Sequence, residues 1–187
     1  MNKRHRASAL LLSVLLLGLG GCATPGGGQS EHQRAVAAAS KAMSQSDLRL
    51  LADLAQTNIA EIQTGQLAIT RTQDAQVKAF AQAIVDEHGR ALQQLQALAT
   101  SAGLLLPEGA DLVHRAVAAE ISPLSGPEFD HRYLYLFGIA DHKSLLGLLD
   151  QTARTAANPA LRSYAQTWLP IAMRHLERAQ QLSATRQ

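Results

Sequence analysis

Four long stretches of the chain carry apolar residues at alternating spacings of three and four positions. Because an α-helix turns once in about 3.6 residues, this spacing places the apolar side chains on one helix face. No stretch alternates apolar and polar residues for long enough to indicate a strand. The spacing therefore predicts an all-α fold. The last stretch shows the pattern at Leu161, Tyr164, Trp168, Ala172, His175, Ala179 and Leu182.

Polar caps, prolines and glycines set the predicted helix ends. Asp74 and Asn158 are predicted N-caps, the second followed by proline at the first helical position. Ser125 and Glu128 have the spacing of a capping box, and Gly103 is a predicted C-terminal stop. The predicted long helices span about 46–72, 75–101, 125–156 and 159–183, and a short helix spans about 110–121.

The connection between the second and third long helices decides the predicted topology. It has 21 residues, 104–124, whereas the other pairs of helices are joined by tight turns. A bundle helix of ~27 residues is about 40 Å long, and a short helix with extended flanks can span that distance. One long crossover between two hairpins is the ferritin-like version of the four-helix bundle. We therefore expect a ferritin-like four-helix bundle whose crossover carries a short extra helix.

The N-terminal residues have the pattern of an export signal. Three basic residues among the first six precede an apolar run, Ala9 to Leu19, that is too short to span a bilayer. The run ends in Leu19-Gly20-Gly21-Cys22, which resembles the lipobox of bacterial lipoproteins. We predict a lipoprotein signal peptide over 1–21, a lipidated Cys22 with a flexible Gly-rich tether over 22–45, and a folded domain over 46–184.

Composition and the residue after the cysteine predict a location. Ala23, rather than aspartate, follows Cys22, which by analogy with Gram-negative sorting indicates the periplasmic leaflet of the outer membrane. We expect attachment to the membrane through the lipid anchor and an envelope protein as partner.

Without Lys3, Arg4 and Arg6 the chain has 14 basic and 15 acidic residues. Since no basic patch appears either, we expect no nucleic-acid partner.

Several polar residues fall at one predicted depth of the bundle. Glu61 and His88 lie about equally far from the first tight turn, and His142 and His175 about equally far from the second. Asp141 shares this depth. Imidazole nitrogens and carboxylates that converge in this way are ligands for a divalent metal.

A structural polar network is the alternative, and the sequence favours it over a metal. A Glu61–His88 hydrogen bond and an Asp141–His175 pair would satisfy these groups without a metal. Di-metal carboxylate bundles carry Glu-x-x-His on two helices, and both motifs are absent here because Val85 precedes His88 by three residues and Ala172 precedes His175.

Other polar residues are expected to be structural. Asp130 lies on the stripe of Asp141 three turns earlier, and we expect a buried polar role for it. Glu87 is expected to flank the site, Asp86 to pair with Arg90 four residues on, and His114 to lie at the surface of the short helix.

A set of short motifs lies along the predicted domain. The motifs are Ala60-Glu61 with Gly65-x-Leu67-Ala68, Val77-Lys78-x-Phe80-Ala81, Asp86-x-His88, Leu106-Pro107, Leu124-Ser125-Gly126-x-x-Phe129-Asp130-x-x-Tyr133, His142, Asn158-Pro159-x-Leu161, and Leu169-Pro170 with His175. With them, the chain from about residue 47 to residue 182 resembles the bacterial envelope family called domain of unknown function 4142 (DUF4142). The resemblance implies a ferritin-like helical bundle that is often exported, and it implies no established activity or cofactor.

Two functional hypotheses follow from the sequence. The first is a non-catalytic envelope module that binds a partner or serves stress tolerance, because the chain has a predicted anchor and tether and lacks the di-iron motif. The second is a metal-binding or redox protein with a divalent metal as cofactor. Its candidate ligands are Glu61, His88, Asp141, His142 and His175.

Overall fold

A computed structural model of the protein describes residues 43–186, and every regular element within them is helical, which confirms the predicted all-α class. The predicted signal peptide, Cys22 and nearly all of the tether lie outside the described residues. No helix within residues 43–186 is both long and apolar enough to cross a membrane. The elements are α1 (Gln45–Arg71), α2 (Ala75–Ser101), α3 (Leu112–Ile121), α4 (Gly126–Tyr133), a π-helical segment (Leu134–Asp141), α5 (His142–Thr155) and α6 (Pro159–Ala184).

Helices α1 and α2 form the first hairpin. Ser44 and Asp47 cap α1 with a capping box, in which each side chain accepts from the other residue's backbone N–H at 3.1 Å. Asp74 is the N-cap of α2, as predicted. At Gly65 a Cβ atom would lie only 2.8 Å from Val85 Cγ2, so the missing side chain lets α1 approach α2 closely.

The second hairpin and the crossover also follow the predicted boundaries. Asn158 caps α6 through hydrogen bonds from the next two backbone N–H groups after Pro159. Gly103, two residues after the end of α2, has a φ of 70°, the left-handed conformation that glycine accommodates best. Beyond it the chain crosses to the second hairpin and forms α3 on the way.

The predicted capping box at Ser125 is wrong. Ser125 is the N-cap of α4, but its side chain makes no capping hydrogen bond. Gly126 has a φ of 58°, and Pro127 has no N–H to donate. The first turn of α4 therefore cannot present its donors to the serine hydroxyl in the usual way.

A π-helical segment interrupts the third long helix, which the sequence predicted to be regular. The segment joins α4 to α5 and packs against α6. At Gly138 a Cβ atom would lie 2.7 Å from the Ala179 Cβ atom, so glycine is what allows this close approach. Single π turns occur frequently at functional sites.

The buried apolar side chains form two clusters along the bundle, and a polar layer separates them. Glu61, His88, His142 and His175 each lie, in sequence, between buried residues of one cluster and buried residues of the other. The four long helical regions therefore contribute polar side chains to the bundle interior at a common depth. The first cluster includes Leu54, Ala91, Leu95, Leu145, Leu149, Trp168 and Ala172, and the second includes Ala68, Phe80, Ile84, Phe129, Tyr133, Phe137 and Ala179.

Candidate metal centre

His88 points from α2 into the interior, where only 5% of the residue is exposed. Its Nδ1 lies 3.0 Å from Asn58 Oδ1. The Asn58 amide nitrogen donates to the Leu54 carbonyl and to the Tyr164 hydroxyl, so the amide oxygen is the atom that faces His88. Because an amide oxygen only accepts, His88 Nδ1 carries the proton. His88 Nε2 is then a lone pair, buried and without a hydrogen-bond partner among the described residues.

His142 is fully buried at the start of α5, directly after the π-helical segment. Its Nδ1 lies 2.8 Å from the carbonyl oxygen of Phe137. A carbonyl oxygen only accepts, so the proton of the neutral ring is on Nδ1. His142 Nε2 therefore brings a second lone pair to the polar layer.

His175 comes from α6 and meets a carboxylate of α2. Its Nε2 lies 2.6 Å from Glu87 Oε2, and Arg90 lies 3.6 Å from the other oxygen of Glu87. Because the carboxylate accepts, His175 Nε2 carries the proton and Nδ1 has the lone pair. That Nδ1 faces His142 Nε2 at 3.3 Å. In the neutral rings, no proton lies between these two nitrogens.

Three ring nitrogens, one from each histidine, converge. One nitrogen each from His88, His142 and His175 lies within 4.8 Å of the other two, and the ring centroids are 5.2–5.5 Å apart. Two nitrogens bound ~2.05 Å from a tetrahedral metal lie about 3.3 Å apart, which matches the His142–His175 separation. Histidines that bind metals in proteins donate their other N–H to a carboxylate, carbonyl or similar acceptor, and all three rings do so here.

Burial keeps the three rings neutral. It lowers the pKa of His88 well below the ordinary value, and the nearby His142 and His175 lower it further. Burial likewise lowers the pKa of His142 to about 4. The pKa of His175 is also lowered by burial, although hydrogen bonding to Glu87 opposes this. Neutral imidazole is the form that binds a metal, so the cluster is in the binding form at neutral pH.

Glu61 lies beside the cluster and not among its converging atoms. Its Oε1 is 3.3 Å from Nδ1 of His142, the nitrogen that already donates to Phe137. Burial raises the pKa of Glu61 well above the ordinary value, and the charge of Asp141 raises it further. Neither oxygen of Glu61 accepts a hydrogen bond of normal geometry from the described residues. Glu61 therefore lies next to the His142 ring and to Asp141, outside the group of converging nitrogens.

Asp141 meets His114 of the crossover on one side and lies beside Glu61 on the other. Its Oδ1 lies 3.0 Å from His114 Nε2, and Asp111 Oδ2 lies 2.6 Å from His114 Nδ1. Hydrogen bonding to Asp141 is the largest of the effects that raise the pKa of His114 to about 9. The expectation that His114 lies at the surface is therefore wrong, because the ring is held between two carboxylates and only 17% of its side chain is exposed.

The pairings expected from the sequence do not form. His88 bonds Asn58 instead of Glu61, and Asp141 bonds His114 instead of His175. The expected pair of Asp86 with Arg90 is also replaced. Asp86 accepts from Gln82, four residues earlier, and Arg90 lies against Glu87. Equal depth along the bundle does not determine which neighbour a side chain meets around the helix.

Asp130 is not among the three converging histidines, and it follows Phe129 of the second apolar cluster in the chain. It is 4% exposed and one carboxylate oxygen has no partner among the described residues. Burial raises its pKa, and a hydrogen bond with Thr72 opposes this. It shares a surface recess with Asp74 and Arg186, which bond each other at 2.6 Å.

Three partners of the cluster were missed by sequence reasoning. Asn58 lies one helical turn before Glu61 and therefore on the same face of α1. Its spacing from Glu61 was the signal in the sequence that could have identified it. Glu87 was expected only to flank the site, although it holds His175 across the helix interface. No sequence pattern could have indicated the Phe137 carbonyl. It is a main-chain acceptor that becomes available to His142 through the π-helical segment.

The comparison with known proteins identifies the family. The family model described as "Domain of unknown function (DUF4142)" matches residues 32–182. The chain belongs to this family. The match covers the whole polar layer and begins inside the segment that the sequence predicted to be a tether. No curated protein and no solved structure shows a significant match to the chain.

Proposed function

We propose that this DUF4142 domain binds one transition-metal ion through His88 Nε2, His142 Nε2 and His175 Nδ1. The observation that carries the proposal is the convergence of one nitrogen from each of three buried histidines, while one N–H group of every ring is donated to an acceptor. A buried polar atom without a partner costs about 1–3 kcal/mol. A cation between the rings would remove that cost for all three nitrogens together.

The donor set indicates the class of metal. Three neutral imidazoles suit Zn²⁺, Cu²⁺, Fe²⁺ and Ni²⁺, whereas Mg²⁺ and Ca²⁺ prefer oxygen ligands. The separation of 3.3 Å between the His142 and His175 nitrogens is compatible with a tetrahedral ion such as Zn²⁺. Glu61 and Asp141, the carboxylates of the sequence-based ligand set, are assigned to supporting roles.

Metal analysis of the purified chain tests the proposal. After loading with Zn, Fe, Mn or Cu and removal of free metal, we expect about one ion per chain for the preferred metal. His88→Ala, His142→Ala and His175→Ala should each weaken binding at least tenfold, and His131→Ala, at an exposed histidine, is the matched control. Circular dichroism shows whether each variant is folded. Sub-stoichiometric metal in the folded parent chain with every metal would refute the proposal.

We further propose that the domain is anchored in the bacterial envelope. The basic n-region, the short apolar run and the lipobox-like Leu19-Gly20-Gly21-Cys22 support a periplasmic lipoprotein of the outer membrane. A ferritin-like topology, with an envelope protein as partner, is part of the same proposal. The Cys22→Ala variant should lose acyl labelling and membrane association, and unchanged fractionation would contradict the anchor.

A further inference from the structure

A surface groove lies between α2 and α6. It has a volume of about 290 Å³, close to the lower limit of sites that bind small molecules. His175 and Glu87, which bond each other, form part of its wall, so one residue of the histidine cluster reaches this groove. The other lining residues are Gln76, Ala79, Phe80, Ala83, Arg174 and Arg178.

Two hydrogen bonds fix the register of the groove walls. Gln94 accepts from Trp168, and Glu87 lies 2.6 Å from His175, so α2 and α6 run antiparallel. The same register places the turn of α6 that carries arginine 178 level with the turn of α2 that carries Ala83. A long basic side chain therefore stands opposite a small one, which leaves room for a ligand between the two helices.

Arg174 and Arg178 are exposed and have no carboxylate partner among residues 43–186. Each donates through one nitrogen to a neutral acceptor of its own helix, Arg174 to the Pro170 carbonyl at 3.3 Å and Arg178 to Gln181 Oε1 at 3.5 Å. A guanidinium has five N–H donors, so most donors of the pair are available to a ligand. The arginines that do form ion pairs in this part of the chain are Arg90, Arg132, Arg154 and Arg186.

The lining of the groove has a net positive charge. Its carboxylate, Glu87, already has partners, because it lies 2.6 Å from His175 and 3.6 Å from Arg90. Two arginine charges therefore stand against one carboxylate that is engaged elsewhere. A concave surface with positive charge attracts anions.

We propose that this groove binds inorganic phosphate or a phosphate monoester between Arg174 and Arg178. Residues four apart on a helix have Cβ atoms about 5–6 Å from each other, so both guanidinium groups can reach one anion. The two oxygens of a carboxylate pair with a single guanidinium, whereas a phosphate group has at least three acceptor oxygens and up to two charges for the pair. The inference needs no bound metal and goes beyond the proposed function.

Isothermal titration calorimetry tests the inference, with inorganic phosphate added to the full chain after removal of metal by EDTA and dialysis. At an ionic strength of about 0.15 M, which screens weak attraction between exposed charges, we expect one saturable site per chain. Arg174→Gln and Arg178→Gln should each weaken binding about tenfold or more, because each removes hydrogen bonds to a charged group. Arg115→Gln, at an exposed arginine of α3, is the matched control and should bind phosphate like the parent.

A third variant tests the shape of the groove. Ala83→Leu places a larger side chain in the groove at an exposed position and leaves its charge unchanged, so it should also weaken phosphate binding. Circular dichroism shows whether each variant is folded. Phosphate binding to folded Ala83→Leu with the parent affinity would show that the anion does not lie between the helices, and this would overturn the inference.

A second titration distinguishes a soluble ligand from a lipid headgroup. Water-soluble, short-chain phosphatidic acid carries a phosphate monoester, and phosphatidylglycerol of the same chain length is the control because its phosphate is a diester. Tighter binding of phosphatidic acid than of inorganic phosphate would identify a lipid headgroup, and the reverse would identify a soluble ligand. If neither compound binds, or if both bind to the two arginine variants as well as to the parent, the inference is wrong while the metal centre is unaffected.

Discussion

The imidazole ring of His114 and the rings of the three core histidines lie in opposite surroundings. His114 lies between Asp111 and Asp141, and these carboxylates raise its pKa to about 9. The core rings have one acceptor each, no carboxylate at the inner nitrogen, and a pKa that burial lowers, to about 4 for His142. Two carboxylates give His114 a proton at each nitrogen, whereas the core rings retain lone pairs that are free to bind a cation.

The comparison teaches that the partner atoms, more than burial alone, decide what a histidine does. His114 neutralises negative charge on the crossover, and its stabilising effect depends on a bound proton. The core rings are harder to protonate than a free imidazole, since the charged ring is costly to bury. The first site should therefore respond to pH and the second to metal.

Metal removal is expected to produce the largest effect. At a free metal concentration about 1,000 times Kd, binding stabilises the folded chain by about 4 kcal/mol. A chelator should then lower the melting temperature by roughly 10 °C, as measured by calorimetry. His114→Gln should keep both the metal stoichiometry and this shift, whereas His88→Ala should lose both. A shift that disappears in His114→Gln would contradict the separation of the two sites.

The pH dependence of stability tests the other side of the comparison. Because the pKa of His114 is raised to about 9, its stabilising effect is fully present below pH 6.5 and is lost as the pH rises through 9. Below pH 6.5 His114→Gln should be less stable than the parent by up to about 3 kcal/mol, and the difference should shrink between pH 6.5 and 9. Urea denaturation at several pH values measures it, with His131→Gln as control. A difference that does not vary with pH would argue against a charged His114.

Gly138→Ala tests how the core cluster is positioned. The added Cβ would lie 2.7 Å from the Ala179 Cβ atom, so the π-helical segment or α6 must move. We expect a loss of about 2 kcal/mol in unfolding free energy and weaker metal binding, because His142 follows this segment. Gly147→Ala, where a Cβ meets no atom within 4 Å, is the control and should gain up to ~1 kcal/mol. Equal stability of the two variants would contradict the close approach.

Asp111→Asn should have the smallest effect. The amide oxygen can still accept from the His114 backbone N–H, which Asp111 caps at 2.9 Å, so only the charge is removed. Since Asp111 is partly exposed, we expect a loss below about 1 kcal/mol and no change in metal content. Chemical denaturation and metal analysis check both expectations, and a reduced metal content would connect the two sites after all.

Much of the scaffold could be predicted from local patterns. The caps at Asp74 and Asn158 and the bounds of α2 were predicted because they depend on neighbouring residues only. The predicted capping box at Ser125 does not form, although the residue types and their spacing match the motif. The positive φ of Gly126 changes the geometry of the first turn. A pattern of residue types predicts a cap only if the backbone there is regular.

The site was less predictable than the scaffold. Depth could be inferred from the sequence because each helical residue rises by about 1.5 Å, and the four polar residues do fall between the two apolar clusters. The pairings were wrong because direction around the helix axis and side-chain rotamers decide them. The π-helical segment changes the direction around the helix axis in which His142 points. The spacing of the apolar residues did not predict this segment.

The sequence by itself determined an all-α chain, most of its helix ends and the level at which its polar residues meet, because these depend on helical periodicity and on contacts between near neighbours. Only the tertiary structure decided which nitrogen of His88, His142 and His175 faces inward. That choice depends on an amide, a main-chain carbonyl and a carboxylate that other parts of the fold bring to each ring.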